Sequence, residues 1–237
     1  MLSPRVVRFL FCAATLATGA CAAGSALDYQ HQGDWQAACG LSQSPIDIET
    51  AKARPGDAAE PQSIRLHATR TALDVFDSGH AIEVEVEGPD AMIRGRHFRL
   101  AQFHFHAASE HLIDGRRYPV EGHFVFKAGD GRLAVVGVMF DEGAANPVAE
   151  AVLDGLASKE HSTKAVDIAQ LLPRRLGYFR YLGSLTTPPL DEIVEWYVLS
   201  TPMTLSAAQI KRFQARYDHN SRAVQPLNDR PLIRYAG

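Results

Sequence analysis

The sequence predicts a single, mainly β domain of the α+β kind with a few short peripheral helices. Three observations carry that prediction: apolar residues recur with period 2 along the chain, glycine-rich turns separate those runs, and helical patterning is confined to two segments. The 237 residues suffice for one substantial core, and no internal repeat or Pro/Gly/Ser linker divides them. Charged residues at 22% and hydrophobic residues at 46% argue against long disorder and against a membrane-embedded body, and a net charge of -3 gives no pull toward nucleic acid.

In chain order, the first element is a targeting segment. Arg5 and Arg8 precede a short apolar run at residues 9–16 and a small-residue stretch at 17–24, the layout of a secretory signal. The run is too short for a permanent membrane span, so residues 1–23 are read as a signal peptide and 24–237 as the domain, exported to the periplasm. Ala20-Cys21-Ala22 suits ordinary cleavage. Lipid anchoring at Cys21 is the alternative, disfavoured because Thr18 stands where lipoprotein signals usually carry Leu. Cys39 is then the one cysteine certain to remain, which excludes a disulfide scaffold.

After a polar stretch at 51–62, strands follow one another. Residues 81–87 alternate Ile82, Val84 and Val86 with Glu83, Glu85 and Glu87, as a half-buried strand does. Residues 97–106, 121–127, 133–140 and 193–199 are rich in Val, Ile, Phe and Tyr, with turns at Gly115, Gly129-Asp130-Gly131 and Gly143. The helical segments are 147–158 and 206–217, the second opening on Ser206 with Gln209 three residues later, a capping-box spacing.

The chemistry lies on two of these strands. In Gln102-Phe103-His104-Phe105-His106 the polar residues alternate, so Gln102, His104 and His106 share one face while Phe103 and Phe105 pack on the other. Glu121 and His123 share a face of the next strand, and Asp114-Gly115 marks an antiparallel return between the two. Three neutral imidazoles converging from paired strands make an open zinc site, one ion per chain, with a fourth tetrahedral position for water. Gln102 and Glu121 each precede a histidine by two residues on its own face, where they fix ring tautomers through the nitrogen that does not bind metal. Two other readings stand beside this one. A sheet can carry hydrogen-bonded or exposed histidines with no metal. The spacing His104-x-His106-x3-Glu110 also fits the first motif of a cupin, an iron or manganese oxygenase or isomerase, although the second cupin motif is absent downstream.

Taken together, Gln43-Ser44-Pro45-Ile46-Asp47-Ile48, Gln102 to His106, Ser109-Glu110-His111, Gly183-Ser184-Leu185-Thr186-Thr187-Pro188-Pro189 and Gln225-Pro226-Leu227-Asn228 resemble the motifs of the alpha carbonic anhydrases, in the family's order and over nearly the whole mature chain. The resemblance implies a large, mostly antiparallel, twisted central sheet. It implies a lyase that hydrates carbon dioxide to bicarbonate and a proton by attack of zinc-bound hydroxide, with His104, His106 and His123 as ligands. Thr186 then accepts a hydrogen bond from the hydroxide while donating its own proton to Glu110, so the hydroxide's lone pair is aimed at substrate. Asn220 matches a residue whose backbone supports a ligand. Val125, Val135, Leu185, Thr187, Val194 and Trp196 match the carbon dioxide pocket, whose plainer reading is hydrophobic core. Zinc lowers the pKa of bound water from ~15.7 to ~7, this family being the standard example. His80 matches the proton shuttle, with an ordinary pKa of ~6.5 close to that of the metal-bound water. Sulfonamide and anion inhibitors are implied as well; the oligomeric state is open, a homodimer among the alternatives.

Three departures from the family pattern bear on function. Ser78 and Glu83 replace neutral amides that order water between metal and shuttle, and Glu83 adds negative charge near the cavity. Leu190 stands where exported bacterial members carry a cysteine, so Cys39 has no partner of the usual kind. The loop Ala107-Ala108-Ser109 is compact. A carbonic anhydrase-like binding module without catalysis is the non-enzyme alternative, but such a module is expected to have lost a zinc histidine, and this chain keeps all three.

Overall fold

The computed structural model of the chain describes residues 27–35, 40–158 and 163–237. The predicted signal segment, Cys21 and Cys39 fall outside these. The main sheet has twelve strands. Nine form its continuous path: β1 (Arg54–Pro55), β2 (Asp74–Asp77), β3 (Ile82–Glu85), β4 (Arg96–His106), β5 (Val120–Lys127), β6 (Leu133–Glu142), β7 (Tyr178–Gly183), β8 (Val194–Leu199) and β9 (Ile233–Tyr235), in the spatial order β1-β9-β7-β8-β6-β5-β4-β3-β2. Ile64–Leu66, Asp90–Ile93 and Met203–Leu205 complete it. Pairing is antiparallel except where β6 meets β8 and Met203–Leu205, and where β9 meets β1. Among the described residues there are two α-helices, α1 (Pro147–Ala157) and α2 (Ala207–Arg216), and no helix is long and apolar enough to cross a membrane.

The predicted mainly β architecture holds, with two differences. The polar stretch at 51–62 contributes the edge strand β1 through its pairing with β9. The Asp114-Gly115 turn does not join β4 to β5 as a simple hairpin. Both residues have positive φ, the turn closes on an Ile113–Arg116 bridge, and Leu112–Ile113 pairs in parallel with Asp47–Ile48.

Alternation on β4 and β5 gives the sheet two unlike faces. Phe103, Phe105 and Phe124 are buried on one, with Phe103 stacked on Phe124 at 5.1 Å and Phe105 meeting Phe213 of α2 at 4.7 Å. Burial of each such ring contributes about 1.5–3 kcal/mol. Opposite lies a second apolar cluster of Ile46, Val135, Tyr181, Trp196 and Val198, beside the imidazoles. Where the register passes from Val125↔Gln102 to Phe126↔Leu100 it skips Ala101, a bulge that keeps Gln102 and Val125 on the polar face while Leu100 and Phe126 turn into the core. The helices are fixed by their caps. Asn146 accepts from the backbone of Val148 and Ala149 ahead of α1, and Ser206 forms the predicted capping box with Gln209 ahead of α2. Gln209 is buried and also donates to the Asn146 carbonyl at 2.8 Å, tying one helix start to the other.

Candidate metal centre

Cross-strand register brings the three histidines together. His104 on β4 pairs with His123 on β5, and His106 pairs with Glu121, so all four side chains share one face. The rings lie 4.6–5.2 Å apart, and one nitrogen from each lies within 4.8 Å of the others. Each ring is turned by a partner on its outer nitrogen. His104 Nδ1 meets Gln102 Oε1 at 2.9 Å, His106 Nδ1 donates to the Asn220 carbonyl at 2.6 Å, and His123 Nε2 lies 2.9 Å from Glu121 Oε1. Because these partners are acceptors, the protons sit on the outer nitrogens and the lone pairs point inward. That leaves Nε2 of His104, Nε2 of His106 and Nδ1 of His123 converging.

Electrostatics keeps these rings neutral, the state metal binding needs. Burial lowers the pKa of all three, and the neighbouring rings lower His104 further; His106 comes down to about 4. The carboxylates respond differently. Burial opposes the charge on Glu121, yet attraction to His111 and His123 and hydrogen bonds from both rings hold it well below the usual carboxylate range. Glu110 is pushed up to about 7 by burial. Its Oε1 accepts from the Arg222 backbone at 2.7 Å, while its buried Oε2, like His106 Nε2 3.6 Å away, has no hydrogen-bond partner among the described residues. Thr186 is buried close enough to favour the charged form of Glu110. Orphaned polar atoms beside a converging imidazole triad, Glu110 Oε2 and His106 Nε2 among them, are what a site shaped for a cation and its oxygen ligand leaves when only protein atoms are counted. All-nitrogen donation suits zinc.

Glu121 carries more than the sequence reading assigned it. Its Oε2 accepts from the backbone of Glu110 and His111 at 2.8 and 2.9 Å, and its Oε1 from His111 Nδ1 at 2.8 Å. His111 Nε2 continues to the Tyr181 hydroxyl at 2.6 Å, which reaches Ser44 Oγ at 2.9 Å. Room for this carboxylate comes from Gly137, opposite His123, where an added Cβ would lie 3.0 Å from Glu121 Oε1. His111, Tyr181, Ser44, Arg222 and the half-buried Tyr29, whose phenol is raised by burial and by Glu110, have no role assigned from sequence. The signals available are the polar triplet Ser109-Glu110-His111 and the motif around Ser44.

The predicted pocket residues divide. Val125, Val135 and Trp196 occupy one cross-strand row through β5, β6 and β8, with Trp196 4.8 Å from the His123 ring and its indole donating to the Ser184 carbonyl at 3.0 Å. Val194 is buried in the same cluster and Leu185 packs against it. Thr187 is half-buried, and its carbonyl accepts from Leu190 at 3.0 Å, closing the turn that follows Thr186. His80 is half-buried at the start of β3, after Gly79 with φ of +88°. Ser78 Oγ is 3.3 Å from its Nδ1, and Asn220 donates to its carbonyl at 3.0 Å. Its pKa is lowered by burial, where the sequence reading took an ordinary value. Glu83 is half-buried, and burial, then Glu85, raises it.

Comparison with known proteins bears on all of this geometry at once. The eukaryotic-type carbonic anhydrase family profile matches residues 29–236. A carbonic anhydrase of Pectobacterium carotovorum is 42% identical over 200 residues, covering 82% of this chain and 80% of that protein. Among solved structures, the Photobacterium profundum alpha-carbonic anhydrase superposes with a TM-score of 0.77 at 38% identity, covering 86% of this chain and 95% of the other. The alpha-carbonic anhydrase of Thermovibrio ammonificans, solved with the inhibitor sulfanilamide, does so with 0.75 at 40% identity, covering 82% and 87%. This breadth of match, over the strands that converge the three histidines, leaves no place for the cupin reading: the chain belongs to the alpha carbonic anhydrase family of lyases.

Proposed function

We propose that the chain hydrates carbon dioxide reversibly to bicarbonate and a proton with one zinc ion held by His104 Nε2, His106 Nε2 and His123 Nδ1. The observation that carries this is the inward convergence of three neutral imidazoles, each with an acceptor oxygen within 2.9 Å of its outer nitrogen. When bound, zinc supplies the Lewis acidity that brings the pKa of a coordinated water to ~7, carbonic anhydrase being the standard case.

The remaining work falls to the chain's own residues. Gln102, Asn220 and Glu121 keep the ring protons on the outer nitrogens, so no tautomer change is needed when metal binds. Glu110 accepts the Thr186 hydroxyl proton, which leaves Thr186 able only to accept a further hydrogen bond and so orients the attacking oxygen. The apolar row Val125, Val135 and Trp196, with Leu185 and Val194, holds a small uncharged substrate weakly and offers a charged product nothing. Thr187 borders that wall. His80 passes the proton outward. Its lowered pKa makes it a weaker proton acceptor than a free imidazole and favours prompt release to solvent.

The sulfanilamide complex of the Thermovibrio relative supports sulfonamide binding here, and small anions are expected at the same place. The order of basic, apolar and small residues at 1–24 supports export to the periplasm as a single domain from about residue 24, with acylation of Cys21 as the alternative; the mass of the mature N-terminus separates them. Sedimentation of the purified protein distinguishes monomer from homodimer. The deciding experiment is metal analysis together with carbon dioxide hydration. About one zinc per chain and hydration abolished by a sulfonamide is the expected result. Iron without hydration overturns the reading.

A further inference from the structure

Glu83 is a charged residue on the histidine face that has no role in this mechanism. Glu83 is the cross-strand partner of His104, and its neighbours Ile82 and Val84 are buried in the opposite core. The alternation of β3 therefore turns Glu83 toward the face that carries His104 and Gln102. It is half-buried, and among the described residues no hydrogen bond or ion pair of its carboxylate is found, its backbone alone being paired in the sheet. Glu85, the partner of Gln102, is exposed on the same face one step further along. A carboxylate drawn partly out of water without a donor or a cation stabilises nothing in the fold. Its field acts instead on whatever shares the space beside it.

We propose that Glu83 makes the space beside the three histidines select its occupants by charge, favouring cationic ligands and disfavouring anionic ones while leaving uncharged molecules unaffected. This rests on the proposed metal centre, because it concerns ligands anchored there. It adds to that reading by naming the residue that decides which charged groups tolerate the wall beside His104. A unit charge about 4 Å from a carboxylate in watery surroundings changes affinity by about fivefold, with opposite signs for cation and anion.

The test uses zinc-loaded protein and three benzenesulfonamides, one uncharged, one with an ammonium tail and one with a carboxylate tail. Dissociation constants are measured by calorimetry at low ionic strength for the wild type, Glu83→Gln and Glu85→Gln. The wild type is expected to prefer the ammonium probe over the carboxylate probe by about 25-fold, and Glu83→Gln to bring that ratio close to one with the uncharged probe unchanged. The wild-type ratio should shrink at high salt, as screening requires. An equal ratio in wild type and Glu83→Gln overturns the proposal, as does a larger shift from Glu85→Gln. Unchanged binding of the uncharged probe reports that the variant site is intact. If that probe binds neither protein, the metal reading itself fails and this proposal falls with it.

Discussion

Glu121 and His80 both neighbour the three histidines and are held in opposite ways. Glu121 is fully buried, takes two backbone N–H groups and the His111 ring, and lies against the His123 ring. His80 is half-buried, and its ring meets a single serine hydroxyl at 3.3 Å. A group that fixes a metal ligand has to be over-determined, since a ring turned by a fraction of an ångström presents its lone pair elsewhere. A group that hands a proton to solvent has to stay in contact with it. Asn220 bridges the two regions, with its carbonyl on His106 and its amide on the His80 carbonyl.

Breaking the cradle should cost most. His106→Ala removes one of three inward nitrogens, and near-complete loss of both zinc and hydration is expected, read by metal analysis after dialysis beside a hydration assay. Retained stoichiometric zinc would show that the other groups suffice. Glu121→Ala is next. It strands His111, the His123 ring and two backbone donors, so unfolding in denaturant should show a loss of about 3–5 kcal/mol, with zinc affinity weakened by about 10–100-fold.

Acid should strike the same region in the metal-free protein. His106 titrates at about 4 when folded against an ordinary 6.5, so the unfolded chain binds more protons between those values. The stability linked to this ring is present above about pH 6.5 and is lost as pH falls through about 4, roughly 3 kcal/mol. His104 and His123 shift in the same direction. Glu110 has the opposite sign, raised from 4.5 to about 7. Its contribution is complete below about 4.5 and lost as pH rises through about 7. Glu110→Gln should therefore flatten the alkaline limb of a stability–pH curve and leave the acid limb in place.

At the rim the effects are smaller and kinetic. His80→Ala should lower kcat by about tenfold to a hundredfold in weak buffer, leave KM unchanged, and recover with added imidazole; a variant matching wild type without imidazole would remove the shuttle assignment. Ser78→Ala, which frees the His80 ring from its one hydroxyl contact, should change kcat by less than about threefold, a difference that stopped-flow assays resolve.

Local pattern was legible in the sequence where its physical cause is local. Alternation along 102–106 and 121–123 placed three histidines and two orienting residues on one face, and Ser206 with Gln209 marked the start of α2, because strand period and helix capping act over a few residues. The strand β7 went unread although Tyr178 and Tyr181 are buried, since Gly177 and Gly183 frame a run whose Arg180 breaks a clean apolar pattern.

The residues alone singled out the three candidate ligand histidines, the mainly β class and, through the family motifs, the kind of reaction. Only the tertiary structure decided which nitrogen of each ring faces inward. That choice depends on the Asn220 carbonyl reaching His106 across 114 positions of chain and on Glu121 serving His111 as well as His123. A backbone carbonyl has no side-chain signature, and the bulge at Ala101, the open space at Gly137 and the placing of Glu83 opposite His104 exist only once distant strands are in register.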